Sequence, residues 1–233
     1  MKLLLANPNA TDAVTRACAE LARKAATPGT EIVAWTNRSG PPIVDSFYGD
    51  AMAARPLALG LAAVTPVPDA VVLAGFGSYG TNAVKEIFDV PVVGLAEAAM
   101  AYAVPLCHRF AVVTTSSRMI AYTEDLVQAL GFAGRCATVR AVELPPLGAP
   151  PLPPDELVGR LATEATATGA DLVILGGSRL SPYAAALRAR IAPVVVEPVA
   201  CAVALAEGLV RIGLRPSPTQ KFGRPPRPLA DYG

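Results

Sequence analysis

The chain has 233 residues, of which 52% are hydrophobic and 17% are charged, and its formal net charge is +1. This composition is typical of a globular protein with a large buried core, and the length suffices for two small lobes. Because Lys and Arg form no basic stripe, we expect neither nucleic acid nor a membrane surface as a partner.

The N-terminal residues and the numbers of cysteines and histidines indicate whether the protein is secreted and whether it binds a metal. The apolar run at 3–6 is too short for the hydrophobic region of a signal peptide, so we interpret it as a buried strand. The four cysteines form no CxxC pair, and the chain has a single histidine, His108. We therefore predict free thiols in a cytoplasmic protein that uses no metal, nucleotide or other cofactor.

Short apolar runs alternate along the chain with longer Ala-rich stretches that carry apolar residues at three- and four-residue spacing. The runs predict strands at 2–6, 31–36, 70–74, 90–95, 109–114, 136–141, 171–175 and 193–197. The stretches predict helices at 12–26, 50–64, 81–88, 97–104, 118–130, 155–168, 182–190 and 199–212. This alternation predicts parallel sheets that helices cover on both faces.

Two segments fall outside the alternation. The proline-rich segment 143–156 is interpreted as a surface connection. The tail 215–233 has no periodicity, so we expect it to lie along the surface or to reach a neighbouring subunit of a homo-oligomer.

An internal repeat is the strongest signal in the sequence. "DAVVLAGFG" at 69–77 matches "DLVILGGSR" at 171–179, and "VPVVGLAEAAMA" at 90–101 matches "APVVVEPVACAV" at 192–203. A duplicated unit predicts an α/β fold of two pseudo-symmetric Rossmann-like lobes, one made of 1–98 with 205–233 and the other of 99–204. Ligands bind beyond the carboxyl ends of parallel strands, so we expect the two glycine turns to meet at one cleft between the lobes.

Five segments in order resemble the aspartate/glutamate/hydantoin racemase superfamily, in particular its hydantoin racemase branch. They are "NPNAT" at 7–11, "GPPIVDSFYGDA" at 40–51, "DVPVVGLAEAAM" at 89–100, "AVVTTSSR" at 111–118 and "LAEGLVRIGLRPS" at 205–217. The resemblance implies two similar lobes and a cofactor-independent enzyme that moves a proton at a carbon next to a carbonyl. It also implies two catalytic cysteines, one on each face of a small-molecule substrate.

The sequence departs from the family pattern at both of those cysteines. The first belongs to an Ala-Cys-Phe-Gly-Asp pattern, where this chain has Gly75, and the second to a Gly-Cys-Ala-Gly pattern, where it has Gly177. Two-base racemisation needs a proton acceptor on one face and a donor on the other, and glycine supplies neither. The resemblance therefore implies the family fold and pocket without the two-cysteine mechanism.

Residues at the strand ends are the candidates for substrate binding. The resemblance implies that Asn9, Thr114 and Thr115 hold a carboxylate or imide, although such residues also suit helix caps. The glycine turns have two interpretations. Without side chains, their backbone amides can approach an oxyanion closely, or the glycines are present only because a tight turn requires them. The predicted binding residues are Asn9, Gly75, Phe76, Gly77, Ser78, Tyr79, Thr114, Thr115, Gly177, Ser178 and Arg179. Asn7, Thr81, Asn82 and Ser116 follow strand ends as well.

Tyr79, Glu97 and Glu197 are the candidate catalytic residues. Tyr79 suits a proton donor better than a base, since a phenol has a reference pKa of about 10, and its ring can equally line the pocket. Each glutamate is a base if burial raises its pKa, or a first-turn carboxylate that the helix dipole favours. Arg179 suits a two-point clamp on a carboxylate, or a surface ion pair.

The thiols are weaker candidates. Cys201 follows a strand end and is either a displaced nucleophile or a small core residue. Cys107 and His108 precede a strand, away from the expected cleft, and adjacent residues in an extended segment point apart. Cys18 and Cys136 are interpreted as packing residues.

Two classes of function remain open. One is an enzyme on the racemase scaffold, acting on a small carboxylate or a cyclic amide or imide as an isomerase, or as a decarboxylase, lyase or hydrolase. A decarboxylase needs one proton delivery only; the arylmalonate decarboxylases and maleate isomerases of the superfamily show such divergence but keep at least one cysteine. The other class is a binding protein that keeps the pocket without turnover.

Overall fold

The computed structural model describes residues 1–146 and 148–232 and shows two lobes, each built on a four-stranded parallel sheet. The strands are β1 (Lys2–Asn7), β2 (Glu31–Thr36), β3 (Ala70–Leu73), β4 (Val92–Gly94), β5 (Phe110–Thr114), β6 (Cys136–Ala141), β7 (Leu172–Gly176) and β8 (Val194–Val196). The helices are α1 (Asp12–Ala25), α2 (Phe47–Ala62), α3 (Thr81–Ile87), α4 (Leu95–Ala103), α5 (Met119–Ala129), α6 (Pro154–Ala167), α7 (Ala184–Arg188) and α8 (Pro198–Arg211). The predicted elements are confirmed, with ends that shift by a few residues. The helix expected at 182–190 divides into a 3₁₀ turn, Ser181–Tyr183, and α7.

The two sheets have the same topology. The strand order is β2-β1-β3-β4 in the first sheet and β6-β5-β7-β8 in the second. The pairs that the repeat matches, β3 with β7 and β4 with β8, therefore occupy equivalent places in their sheets. The two-lobe α/β fold is confirmed.

Alternating side chains along the strands separate the core into layers. In β1, Leu3 and Leu5 belong to a central cluster, whereas Leu4 and Ala6 face an outer cluster with α2 and α3. This period of two is what a strand covered on both faces requires. A third cluster lies between the second sheet and helices α6 and α7.

Helices α4 and α8 join the lobes through the central cluster. Their buried faces are rich in alanine, including Ala99, Ala103, Ala202 and Ala206, and small side chains let the two helices approach closely. Both helices contact strands of both sheets. The predicted lobe boundaries at 98/99 and 204/205 fall inside these helices and remain a prediction.

The described part of the tail lies along the first lobe of its own chain. Arg224 forms an ion pair with Asp89, and Lys85 lies 5.2 Å from the centroid of the Phe222 ring. Leu229 packs against the outer cluster of that lobe. Of the two expected placements the structure shows the surface one, and a homo-oligomer remains a prediction.

A buried carboxylate holds α8 to the connection between α1 and β2. Glu207 Oε1 accepts hydrogen bonds from the Thr27 N–H (3.0 Å), the Thr27 hydroxyl (2.9 Å) and the Thr30 hydroxyl (2.6 Å). Desolvation by itself would raise the pKa of Glu207, but the bonds from Thr30 and Thr27 outweigh it and lower the pKa below its ordinary value.

Replacing Glu207 tests this anchor. We expect Glu207→Ala to lower the free energy of unfolding by about 1–3 kcal/mol, because it removes the acceptor that three donors share, and Glu207→Gln to lower it less. A depressed folded-state pKa stabilises the fold above the unfolded pKa, and this contribution is lost as the pH falls through the folded value. Urea unfolding should therefore show the difference between wild type and Glu207→Gln shrinking as the pH falls from about 6 to about 3. The exposed Glu20→Gln is the control, and a difference independent of pH would contradict the charge contribution.

Candidate functional site

One cavity of about 410 Å³ lies between the lobes, at the carboxyl ends of the central strands of both sheets. The first lobe supplies the segments that follow β1 and β3, and the second lobe supplies those that follow β5 and β7. Of the predicted binding residues, the lining includes Asn9, Gly75, Phe76, Tyr79, Thr114, Thr115, Gly177, Ser178 and Arg179. Gly77 and Ser78 do not line it.

Gly75 and Gly177 both line this cavity, but their surroundings differ. A Cβ atom built on Gly75 would lie 2.7 Å from Pro8 Cγ and 3.0 Å from Tyr79 Cζ, and still closer to Tyr79 Cε2. A Cβ atom on Gly177 would meet only the Thr115 methyl carbon, at 2.9 Å. The wall at Gly75 is therefore filled by an aromatic ring, whereas the wall at Gly177 is largely open.

Tyr79 fills the first wall from a strained backbone position. Its φ is +40°, a region that costs a residue other than glycine about 1–3 kcal/mol. Its ring lies against Gly75 and Gly77, and its hydroxyl would be 2.7 Å from a Cβ atom on Gly77. Burial raises the pKa of the Tyr79 phenol well above 10, with smaller contributions from Tyr122 and Asp50, so the phenol stays protonated at neutral pH.

Asp50 of α2 holds the Tyr79 turn in place. Its Oδ1 accepts hydrogen bonds from the Tyr79 N–H (2.6 Å) and the Tyr122 hydroxyl (2.8 Å), and its Oδ2 accepts one from the Ser78 hydroxyl (2.7 Å). The Tyr122 oxygen also accepts from the Ser78 N–H at 2.8 Å. Because Tyr122 belongs to α5 of the second lobe, these bonds link the two lobes directly behind the cavity.

Asn9 is oriented by buried side chains beneath it. Its Oδ1 accepts hydrogen bonds from the Asn7 amide (3.0 Å) and the Thr11 N–H (3.0 Å), and Asn7 in turn donates to the Thr15 hydroxyl at 2.9 Å. The Asn9 amino group, by contrast, donates to no acceptor within the described residues. Asn7 is fully buried and supports the cavity floor without lining it.

The two threonines after β5 differ in availability. The Thr114 side chain is almost wholly buried and donates its hydroxyl to the Gly176 carbonyl at 3.2 Å, so it ties β5 to β7. Thr115 is more exposed and places its methyl group toward Gly177.

The candidate glutamates cap helices away from the cavity. Glu97 binds the Gly94 N–H at 2.8 Å and pairs with Lys85 at 2.6 Å, while Glu197 accepts hydrogen bonds from Val199 and Ala200. Neither lines the cavity. The structure therefore places both in the capping role, and Thr81 and Asn82 likewise lie outside the lining.

The cysteines do not line the cavity either, although Cys18 lies behind it beside Ser178. Burial raises the pKa of Cys18 and that of Cys201 to about 11, so neither thiol ionises near neutral pH. Within the described residues, no group of three or more His, Cys, Asp and Glu side chains could hold a metal ion. No helix in that part of the chain is long and apolar enough to cross a bilayer.

The lining also includes three charged residues that were not among the predicted site residues, namely Asp45, Arg118 and Glu143. Glu143, with φ +54°, accepts a hydrogen bond from the Ser117 N–H and lines the cavity together with Leu144 and Pro145. The start of the proline-rich segment is thus a wall of the site rather than a plain surface connection. Asp45 and Arg118 stand at the exposed rim. Asp45 and Asp50 lie in the family-like motif at 40–51 and Arg118 in the one at 111–118, whereas no sequence signal pointed to Glu143.

A family model described as Asp/Glu/hydantoin racemase matches residues 3–206. A hydantoin racemase from Paenarthrobacter aurescens is 32% identical over 97% of this chain and 98% of its own length. An allantoin racemase structure from Pseudomonas fluorescens is 33% identical, covers 98% of both chains and has a TM-score of 0.90. One from Klebsiella pneumoniae is 31% identical, covers 98% of this chain and 95% of its own, and has a TM-score of 0.91.

The crowding at Gly75 can be measured by a double-mutant cycle. We expect Gly75→Cys to lower the free energy of unfolding by about 1–3 kcal/mol, because the new side chain overlaps the Tyr79 ring. In the Tyr79→Ala background the same change should cost much less. Gly177→Cys is the matched control on the open wall and should be tolerated better. An equal cost of Gly75→Cys in both backgrounds, measured by denaturant unfolding, would contradict the overlap.

Proposed function

The chain belongs to the Asp/Glu/hydantoin racemase family, and from that premise we propose a cofactor-independent enzyme that transfers a proton at a carbon next to a carbonyl. Its substrate is a small carboxylate or a cyclic amide or imide. The relatives are named for hydantoin and allantoin, which share a five-membered ring of amide groups. The observation that carries the proposal is that Tyr79, which bears a phenol, lines one wall of the cavity between the lobes.

The proposed mechanism uses no thiol. Gly75 and Gly177 take the positions that the family pattern gives to its two cysteines, and Tyr79 fills the space at the first. A phenol of raised pKa is a poor base, so a hydroxide ion from solvent in the cavity takes the proton from the carbon and leaves as water. Tyr79 then protonates the carbanion, which is far more basic, and solvent reprotonates the phenolate. Asn9 and the exposed backbone amides of the glycine turns are suited to stabilise the carbonyl oxygen as negative charge develops there.

The one-sided arrangement favours a decarboxylase as a second candidate. Tyr79 lines one wall of the cavity, while Gly177, at the second cysteine position of the family pattern, offers no acid or base. Racemisation needs a base as well as an acid, whereas decarboxylation needs only the acid. The bond from carbon to carboxylate breaks, carbon dioxide leaves, and its electron pair stays on the carbon next to the carbonyl. Tyr79 gives its proton to that carbon, and solvent reprotonates the phenolate.

Exchange in deuterium oxide tests the proposed function. We expect enantiopure 5-substituted hydantoins, or the corresponding amino acids or malonate half-amides, to gain deuterium at the reacting carbon, as seen by proton NMR. Release of carbon dioxide from the malonates alone would select the decarboxylase. Saturable binding of these compounds without exchange or product would instead identify a binding protein and reject the enzyme.

Tyr79→Phe tests the proton donor. It removes only the hydroxyl, so we expect the rate to fall by about 10²-fold or more while the fold is kept. Tyr102→Phe is the control, because Tyr102 is an exposed tyrosine of α4 that does not line the cavity. A rate in Tyr79→Phe equal to that of wild type would exclude Tyr79 as the donor.

Alkylation tests the absence of a thiol step. Because burial raises the pKa of Cys18 and Cys201 to about 11, iodoacetamide at neutral pH should leave the rate within about two-fold of its starting value. Cys201→Ala should behave as the untreated protein does. Rapid inactivation that substrate prevents would contradict the proposed mechanism.

A further inference from the structure

Arg179 occupies the turn after β7, where the main cavity meets a second, smaller one. The second cavity has a volume of about 270 Å³ and is lined largely by apolar side chains, among them Leu144, Leu152 and Leu157. Arg179 and Ser178 line both cavities. The guanidinium therefore stands at the boundary between the proposed reaction site and an apolar side chamber.

The charge of Arg179 has no carboxylate partner among the residues that the structure describes. Its recorded contact is a hydrogen bond from Nη2 to the Pro145 carbonyl, at 3.3 Å. The side chain is only partly exposed, and desolvation lowers the pKa of its guanidinium, with an opposing effect from Tyr183. A half-buried cation without a counter-ion is costly, and a bound anion would offset that cost.

The other charged groups of the cavity do not supply that anion. Asp45 and Glu143 are exposed, and neither forms one of the ion pairs seen among the described residues. Arg118, on the same rim, is exposed as well, so its charge is screened by solvent. The hydrogen bond to Pro145 uses one N–H of the Arg179 guanidinium. Its other N–H groups remain available within the described structure, and a guanidinium binds the two oxygens of a carboxylate through Nη1 with Nη2 or through Nε with Nη2.

The internal repeat shows what is distinctive about this wall. Arg179 is equivalent to Gly77 of the first lobe, where the hydroxyls of Tyr79 and Tyr122 take the space of a side chain. The first lobe thus has no room for a side chain at this position, whereas the second lobe has a cation there that lines the cavity.

We propose that Arg179 binds a carboxylate that the substrate keeps throughout the reaction, which makes the substrate an anion rather than a neutral cyclic amide. The inference rests on the proposed function for the place of the substrate. It predicts the orientation of the substrate in the cavity: the retained carboxylate lies at the wall of the second lobe, and the reacting carbon lies toward Tyr79.

Matched ligands that differ only in charge test the proposal by calorimetric binding. One pair is hydantoin-5-acetic acid and hydantoin-5-acetamide, and a linear pair is succinamate and succinamide. We expect wild type to bind at least one acid about tenfold or more tightly than its amide. Arg179→Gln should remove that preference, and Arg179→Lys should keep part of it, because lysine supplies charge without the planar fork.

Arg55→Gln is the charge-matched control and should change the preference by less than about threefold, since Arg55 is an exposed residue of α2 outside the cavity and its charge is screened. Equal binding of acid and amide by wild type in both pairs, failure of all four ligands to bind, or a preference that survives Arg179→Gln would overturn the proposal. Binding is measured without turnover. An Arg179-dependent preference without exchange would refute only the proposed function, and exchange on neutral amides alone would refute only the carboxylate site.

Discussion

The site depends on one packing constraint, the contact of the Tyr79 ring with the bare backbone of Gly75 and Gly77. A side chain at either glycine would overlap the ring or its hydroxyl. The ring reaches this place only because residue 79 adopts a positive φ, and the Asp50 carboxylate offsets that strain by binding its N–H. The identities of residues 75, 77 and 79 therefore depend on one another, because the tyrosine ring fits only where both other residues are glycine.

The same constraint ties the chemistry to the assembly of the two lobes. Asp50 and Ser78 belong to the first lobe, but the Tyr122 hydroxyl that completes their hydrogen bonds comes from the second. Helices α4 and α8 bring the lobes together through alanine-rich faces, which set a short spacing between the sheets. A change in that spacing would move Tyr122 away from Asp50 and loosen the turn that carries the phenol.

Sequence periodicity predicts the strands and helices well, because a central strand such as β3 or β7 is buried on both faces and must be apolar throughout. The repeat also predicts that Gly75 and Gly177 line one cavity, because the two glycines follow equivalent strands. Sequence periodicity could not separate a glutamate at a strand end from one at a helix cap, as the capping of Glu97 and Glu197 shows. Tyr122 and Glu143 are held near the site by contacts with residues far away in the sequence, Asp50 and Ser117. The residues next to them in the chain therefore could not predict their positions.

In the proposed mechanism the two walls of the cavity have complementary electrostatic roles. Burial keeps the Tyr79 phenol neutral, so the first wall would supply a proton and present no negative charge to a carbanion. On the proposed reading, Arg179 draws an anion to the second wall, where desolvation strengthens its attraction. A carbanion formed between them would be stabilised by the cation and protonated from the opposite side. Such a site delivers a proton to one face only, and the handedness of its product would follow from the position of the charge rather than from a second acid or base.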